Sequence, residues 1–427
     1  MASKTQIDKA GQFLAKGKIS SIEELEAFEL FENVFDEFRM MHLQPLTSTT
    51  VELQSWMRED KIPYSIVQRL KRKPQILRKL NRLDVRLTQL QDIGGLRIIV
   101  DQNDDVDKLV DHIEKKLKKQ SSLKIKRKVN YRDKGRDDSG YRATHIILER
   151  DNINLELQIR SRIQHYWAEL IERTSVVYGH YIKELDGDAI VINYFKCLSD
   201  LFYEIESGRK PAAYQKNEVE KLRGEAEQLI YNADTKNIFS NHENEGIVKT
   251  LVGQEKKYGG GSFNNWLFVL NWNQGSFISW DIVGLDPLEA IKRYVEFEKR
   301  FPAEDGFEVV LVGASSVSSI RETHSHYFGL AQKEKILETL DESIVGFSNQ
   351  MDIDVGARQI LACMDRKRYW GTKTIMIDTL KNHYCQDILT FDSSLDALIE
   401  KELVHKPNAT RGVALNLKRK GEIESYL

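Results

Sequence analysis

The stretch NINLELQIRS, residues 152–161, constrains this chain more than any other. Side chains of an extended strand alternate between its two faces. Ile153, Leu155, Leu157 and Ile159 therefore share one face, and Glu156, Gln158 and Arg160 share the other. An ordinary half-solvated strand reads this way. So does a strand that holds a carboxylate, an amide and a guanidinium in a row above an apolar layer, ready for a charged ligand.

Two further stretches favour the second reading. QDIGGLRIIV sets Asp92 just before a Gly-Gly turn into an apolar strand that carries Arg97. A carboxylate there is either a cap or an oxygen ligand for a hard cation. Strand parity is broken by the glycines, so the face Asp92 takes does not follow. SGYRATH places Tyr141, Arg142 and His145 after a polar loop, and Gly140 permits an unusual backbone angle before the tyrosine. This is either a turn into a strand or an aromatic platform for a base with cations beside it.

The surrounding pattern organises the chain into five parts. Residues 1–60 read as helices, with Ser21 and Glu24 at a capping-box spacing before Leu25, Phe28 and Phe31. Residues 61–185 alternate helix and strand, which predicts an α+β domain: a mixed sheet with surrounding helices, of nucleotidyltransferase-like type. Residues 186–239 read as a helical connector. Residues 240–344 carry a ββαβ order, with a hairpin at Asn273, Gln274 and Gly275 and a helix start at Asp286 and Pro287. This predicts a separate small α/β domain. Residues 345–427 read as helices followed by a terminal hairpin or strand, compatible with a winged-helix-like module.

Composition narrows the classes. The chain has 427 residues, 41% of them hydrophobic, enough for more than one core. No apolar run reaches the ~20 residues of a membrane helix, and the N-terminus MASKTQIDKAGQFLAKG lacks the apolar centre of a secretory signal. The expected location is the cytoplasm, with no membrane partner. Cys197, Cys363 and Cys385 have neither metal-ligand nor disulfide-framework spacing and read as reduced thiols. A net charge of -2 argues against a polybasic protein as a whole. Locally, Lys115, Lys116, Lys118, Lys119, Lys124, Lys126, Arg127 and Lys128 crowd one region. That cluster is either a solvated face or a rim that attracts phosphates.

Taken in order, these stretches resemble the RelA/SpoT synthetase family. QDIGGLRIIV is similar to its DIxGxRI segment, DSGYRATHI to its GYRSxH segment, and LELQIRSRIQHYWAE to its EIQIRTxxMHxxAE segment. RLKRKPQILRKLNR is a weaker match to its RxKxxxSIxxKxxR helix. The resemblance covers about residues 60–185. It implies a synthetase that passes pyrophosphate from ATP to the ribose 3′-hydroxyl of GDP or GTP, making (p)ppGpp and AMP in a stringent response. It also implies Mg²⁺ held by Asp92 and Glu156, with Glu156 beside the attacking hydroxyl. Arg69 and Arg97 would sandwich adenine, and Lys71, Lys79 and Arg82 would neutralise the triphosphate. Tyr141 would stack on the acceptor base. His145, Gln158 and Arg160 would complete the acceptor shell, supported by His165 and Glu169.

The chain departs from the family at Gln75, where the helix has serine, and at Asn130 before Tyr131, where aspartate is usual. The second departure leaves the acceptor open. Toxic relatives use adenosine nucleotides or the 3′ end of tRNA, and the basic cluster is compatible with that. The third alternative is a non-catalytic nucleotide-binding regulator. Only residues 1–60 precede the resemblance, which implies synthesis without hydrolysis. The C-terminal parts would answer to an effector, and an oligomer is compatible with all of these readings.

Overall fold

A computed structural model describes residues 2–17, 21–60, 62, 64–119, 122–136, 139–209, 211–233, 263–271, 276–284, 286–314, 320, 355–385, 388, 391–406 and 412–426. The chain divides into two compact units, 1–186 with 234–329, and 187–233 with 330–427.

The first unit opens with three helices, α1 (Lys4–Lys16), α2 (Ile22–Met40) and α3 (Leu43–Glu59). As the capping pattern predicts, the Ser21 side chain accepts from the Glu24 amide at 3.1 Å. Then follow β1 (Ser65–Leu70), α4 (Lys73–Leu83), β2 (Gly94–Val100), α5 (Asn103–Leu117), β3 (Lys124–Asn130), β4 (Thr144–Arg150), β5 (Ile153–Ser161) and α6 (Arg162–Tyr178). Beyond lie β6 (Asn264–Asn271), β7 (Ser276–Gly284), α9 (Pro287–Arg300) and β8 (Phe307–Ala314), after α7 (Ala189–Glu206) and α8 (Ala213–Ala233) of the second unit. Asp286 caps α9 by accepting from the Leu288 amide at 2.9 Å.

All eight strands form one sheet in the order β3-β4-β5-β2-β1-β8-β6-β7. Only β2 and β5 pair in parallel, so the sheet is mixed. Leu155, Leu157 and Ile159 are fully buried on one face, in a core shared with Leu46 and Leu53 of α3, Val106 and Ile113 of α5, and Tyr294 of α9. Burial of this many aliphatic side chains, each worth roughly 1.5–3 kcal/mol, holds the helices to the sheet.

Residues 264–314 do have the expected ββαβ order, but not a sheet of their own. β8 pairs with β1 through Gln68↔Gly313 and Arg69↔Val312, and so extends the sheet that carries residues 94–161. Hydrophobic alternation reports that a segment is a strand, not which edge it joins. The junction is locked by a buried polar knot: Gln68 accepts from Thr50 Oγ1 at 2.6 Å and donates to Thr47 Oγ1 at 2.9 Å. Gly313 makes room for it, since a Cβ there would come within 2.5 Å of Gln68 Cγ. The tip of the predicted hairpin, Asn273, Gln274 and Gly275, lies outside the described residues.

The second unit pairs α7 with α8. It also holds α10 (Val355–Arg366), β9 (Ile375–Met376), a helical turn over 377–384, α11 (Phe391–Glu400), β10 (Val404–His405) and β11 (Gly412–Leu415). The three short strands pair in the order β10-β11-β9. The terminal hairpin or strand expected over 412–427 is a strand, β11, followed by a short helix, α12 (Lys420–Tyr426). LKRKGEIESY has good helix formers and no strand alternation, and its Asn416 accepts from the Lys418 amide at 3.1 Å to start the turn.

Candidate active site

Strand register explains why the predicted residues converge. Arg69 of β1 faces Gly95 of β2, which pairs with Glu156 of β5. Arg97 pairs with Gln158, and Gln158 with His145 of β4. Partners directly across a ladder point to the same face. Arg69, Arg97, His145, Glu156, Gln158 and Arg160 therefore stand together on the face opposite the aliphatic core.

One end of this face is built around Asp92. Its Oδ2 receives Lys71 Nζ at 2.5 Å and Lys79 Nζ at 2.7 Å. Lys71 follows β1 directly, and its backbone N–H donates to Ile93 O at 2.7 Å, which fixes it beside the Asp92 turn. Burial works against the Asp92 charge, but the two lysines hold the carboxyl well below the usual carboxylate range. Its other oxygen, Oδ1, is buried and without a hydrogen-bond partner. Gly95 lies between Arg69 and Glu156, and a Cβ there would meet nothing closer than 3.9 Å, so the floor of the pocket is open.

The other end is a chain of polar contacts. Glu156 Oε1 lies 2.9 Å from His145 Nδ1, and Glu156 Oε2 accepts from Gln158 Nε2 at 2.7 Å. His145 Nε2 lies 2.8 Å from the Tyr141 hydroxyl, which also accepts from Arg160 Nη2 at 2.8 Å. Although burial opposes it, the Glu156 carboxylate and the Tyr141 phenol push His145 up to about 9. Burial likewise opposes ionisation of Glu156, yet His145 holds that carboxyl far below its ordinary value. Against burial, Arg160 and His145 draw the Tyr141 phenol down to about 7. Arg97 is pushed down to about 10 by burial and by the neighbouring Arg160, with Glu169 Oε1 3.3 Å away as its counter-charge.

Backbone hydrogen bonds tie the described residues of the loop before Tyr141. Gly140 has φ 77°, the left-handed conformation expected for it. Arg136 N donates to Tyr141 O at 2.7 Å and Tyr131 N to Ala143 O at 2.9 Å. Arg142, expected beside the ligand, is instead spent on the loop: it donates to Asp133 O at 2.7 Å and to Arg132 O. Residue 142 sits one position out of phase with Tyr141, so it turns to the other side.

The structure places the other expected residues as follows. Arg69 is half-buried on the site face, and no carboxylate pairs with it among the described residues. Arg82 is on α4, 3.3 Å from Glu184 Oε2. His165 is buried in the first turn of α6, one turn before Glu169. The ring of Tyr141 is covered by cations. The residue is 8% exposed, and the Arg160 guanidinium lies 4.9 Å and the Lys183 ammonium 6.0 Å from its ring centroid. Periodicity missed Lys183 and Glu184, because they lie in a single 3-10 turn, Ile182–Glu184, past α6. It also missed Arg132, which is buried and pins the loop to Asn103 O at 2.9 Å and to Asp107.

Among the described residues no group of three or more His, Cys, Asp or Glu side chains is placed to hold a metal alone. Two carboxylates with one bare buried oxygen suit Mg²⁺, which keeps waters and takes one or two carboxylates together with substrate phosphates. Two carboxylates among lysines and arginines on one face of a mixed sheet have the chemistry to hold a phosphate-rich ligand.

Residues 68–182 match the family model described as "Region found in RelA / SpoT proteins", and the chain carries a RelA/SpoT-type synthetase domain there. Three solved structures show partial likeness. Small alarmone synthetase 2 from Bacillus subtilis is 21% identical, with 40% of this chain and 94% of that one covered and a TM-score of 0.35. A GTP pyrophosphokinase family protein from Streptococcus pneumoniae is 23% identical, with 44% and 94% covered and a TM-score of 0.32. Small alarmone synthetase 1 from Bacillus subtilis bound to pppGpp is 18% identical, with 40% and 89% covered and a TM-score of 0.32. No curated protein matches the chain.

Proposed function

We propose that this chain is a pyrophosphokinase that transfers the β,γ-pyrophosphate of ATP to the ribose 3′-hydroxyl of GDP or GTP. The observation that carries the reading is Asp92, with one oxygen on two lysines and the other buried and bare, near enough to Glu156 for the two carboxylates to feel each other's charge. The matched RelA/SpoT region supports it.

The roles are those the family resemblance implies, set on the side chains this face brings together. Mg²⁺, when bound, supplies the Lewis acid that spreads phosphate charge, and Asp92 Oδ1 and Glu156 would hold it. Lys71 and Lys79 exchange Asp92 for triphosphate oxygens, and Arg82 exchanges Glu184. Arg69 and Arg97 take the adenine. The acceptor hydroxyl attacks the β-phosphorus, the bond from that phosphorus to the α-phosphate oxygen breaks, and AMP leaves. A carboxylate held as acidic as Glu156 is a weak proton acceptor. Glu156 therefore orients the hydroxyl, and the proton leaves with solvent or product. His145, Gln158 and Arg160 position the acceptor beside Tyr141, whose ring takes the acceptor base once its covering cations shift to the ligand.

One observation favours a second acceptor. Edge strand β3 exposes Lys124, Lys126, Arg127 and Lys128, a basic border suited to an RNA end. Residues 355–426, within the expected module 345–427, order helix, strand, helical turn, helix, strand, strand and short helix around a core of their own. We read them as a winged-helix-like module that answers to an effector, in a cytoplasmic enzyme. Incubation with γ-labelled ATP and GDP, GTP, AMP or bulk tRNA tests the acceptor. Label on GDP or GTP is expected. Label on tRNA alone selects the second reading.

A further inference from the structure

The acceptor side of the site holds a cation with no role so far. Lys183 lies immediately past the matched region, in the turn Ile182–Glu184. Its Nζ is 2.7 Å from Glu172 Oε1 and 6.0 Å from the Tyr141 ring centroid. The side chain is 22% exposed, and its partner Glu172 43%, so the carboxylate stands on the outer side of the pair.

The turn is clamped on both sides. Ile182 is 1% exposed. Glu184 takes Arg78 Nη2 at 2.9 Å and Arg82 Nε at 3.3 Å, and the Arg78 guanidinium lies 3.3 Å from the centroid of the Tyr181 ring. Lysine has side-chain rotamer entropy to lose on being held, which a merely decorative surface lysine keeps. Here the backbone on each side is anchored, and the ammonium lies between Glu172 and the Tyr141 ring.

Charge near Tyr141 is unbalanced. Arg97 has Glu169 and Lys183 has Glu172, but no carboxylate pairs with Arg160 among the described residues. Arg160 Nε and Nη1 are buried without hydrogen-bond partners, in a residue 2% exposed. Buried guanidinium N–H groups left unmatched are costly, and a phosphate satisfies them with charge-assisted bonds. We propose that Lys183, together with Arg160, binds the 5′-phosphate group of the acceptor nucleotide, with Lys183 exchanging Glu172 for the phosphate. This rests on the reading of the Tyr141 side as the acceptor pocket.

The test is equilibrium binding of GDP and of guanosine to the full chain, wild type and Lys183→Met, with a non-hydrolysable ATP analogue as control. Wild type is expected to bind GDP more tightly than guanosine. Lys183→Met should weaken GDP about ten- to a hundredfold, the range of one charge-assisted bond, and leave guanosine and the ATP analogue unchanged. Lys183→Arg should restore most of the GDP affinity. Equal loss of GDP and guanosine, or an unchanged ratio between them, overturns the proposal while the acceptor pocket stands. A wild type that binds neither overturns both. Glu172→Gln, which frees Lys183 without removing it, should tighten GDP and not guanosine, and this variant decides the matter should Lys183→Met fail to fold.

Discussion

Lys79 Nζ lies 2.7 Å from Asp92 Oδ2, so this lysine already has the counter-charge that a triphosphate would supply on the proposed reading. Lys71 makes the same contact from the other side. Binding of ATP with its metal is on this account an exchange of partners, not an addition of charge.

Asp92→Asn separates the two halves of that exchange. Turnover should fall at least a hundredfold, because the bare oxygen that would hold the metal loses its charge. Binding of ATP in EDTA should hold or tighten, because both lysines are released. Turnover and metal-free ATP titrations check this. Weaker metal-free binding together with normal turnover would contradict it.

Glu156→Gln keeps the shape of a residue locked between His145 and Gln158 but removes its charge. Transfer should drop by two orders of magnitude or more. Its melting temperature should stay within a few degrees of wild type, since the strand's apolar face is untouched. Parallel rate and melting measurements decide; near-normal rates from folded protein would remove Glu156 from the mechanism.

Gly95→Val tests the open floor. The nearest atoms to an added Cβ are backbone oxygens at 3.9 and 4.0 Å, so the backbone leaves room for a Cβ at this position. The added isopropyl group stands between Arg69 and Glu156, where ATP is expected. ATP affinity should fall about tenfold or more, in line with 1.4 kcal/mol per decade, with little change in stability. Calorimetric titration with an ATP analogue reads it.

His42 sets a pH limit on stability. Burial pushes its pKa down from 6.5 to about 4 in the fold, where its Nδ1 lies 2.9 Å from Phe38 O. The unfolded chain therefore binds a proton below about 6.5 that the folded chain refuses until about 4. Stability is fully present above 6.5 and is lost as pH falls through that window, by on the order of 3 kcal/mol at most. Denaturant melts between pH 7 and 4 should show a steeper loss for wild type than for His42→Gln, which keeps a donor for the carbonyl. Parallel slopes would refute the assignment.

The legible part of this site was the part written in strand parity. Alternation alone put Glu156, Gln158 and Arg160 on one face, and the register then added Arg69, Arg97 and His145. What alternation could not carry was pairing across long sequence distances. Residues 264–314 read as strands and helix, yet their union with β1 depends on Gly313 leaving space for Gln68, a contact 245 residues apart in sequence. Tyr141 read as a turn into a strand or as an aromatic platform for a base, and nothing local to its loop showed that Arg160 from β5 and Lys183 from a turn past α6 cover its ring. Lys183 itself sits in three residues of 3-10 turn, too short to give any periodic signal.

The central claim is that two phosphates move together. The direct measurement uses ATP labelled in separate reactions at the β and at the γ position, with GDP as acceptor and Mg²⁺ present. Both labels should appear on the guanine nucleotide in equal amount, with AMP released one for one and both transfers lost in Glu156→Gln. Transfer of γ label alone with ADP accumulating, or no label leaving ATP for any acceptor, would contradict the account.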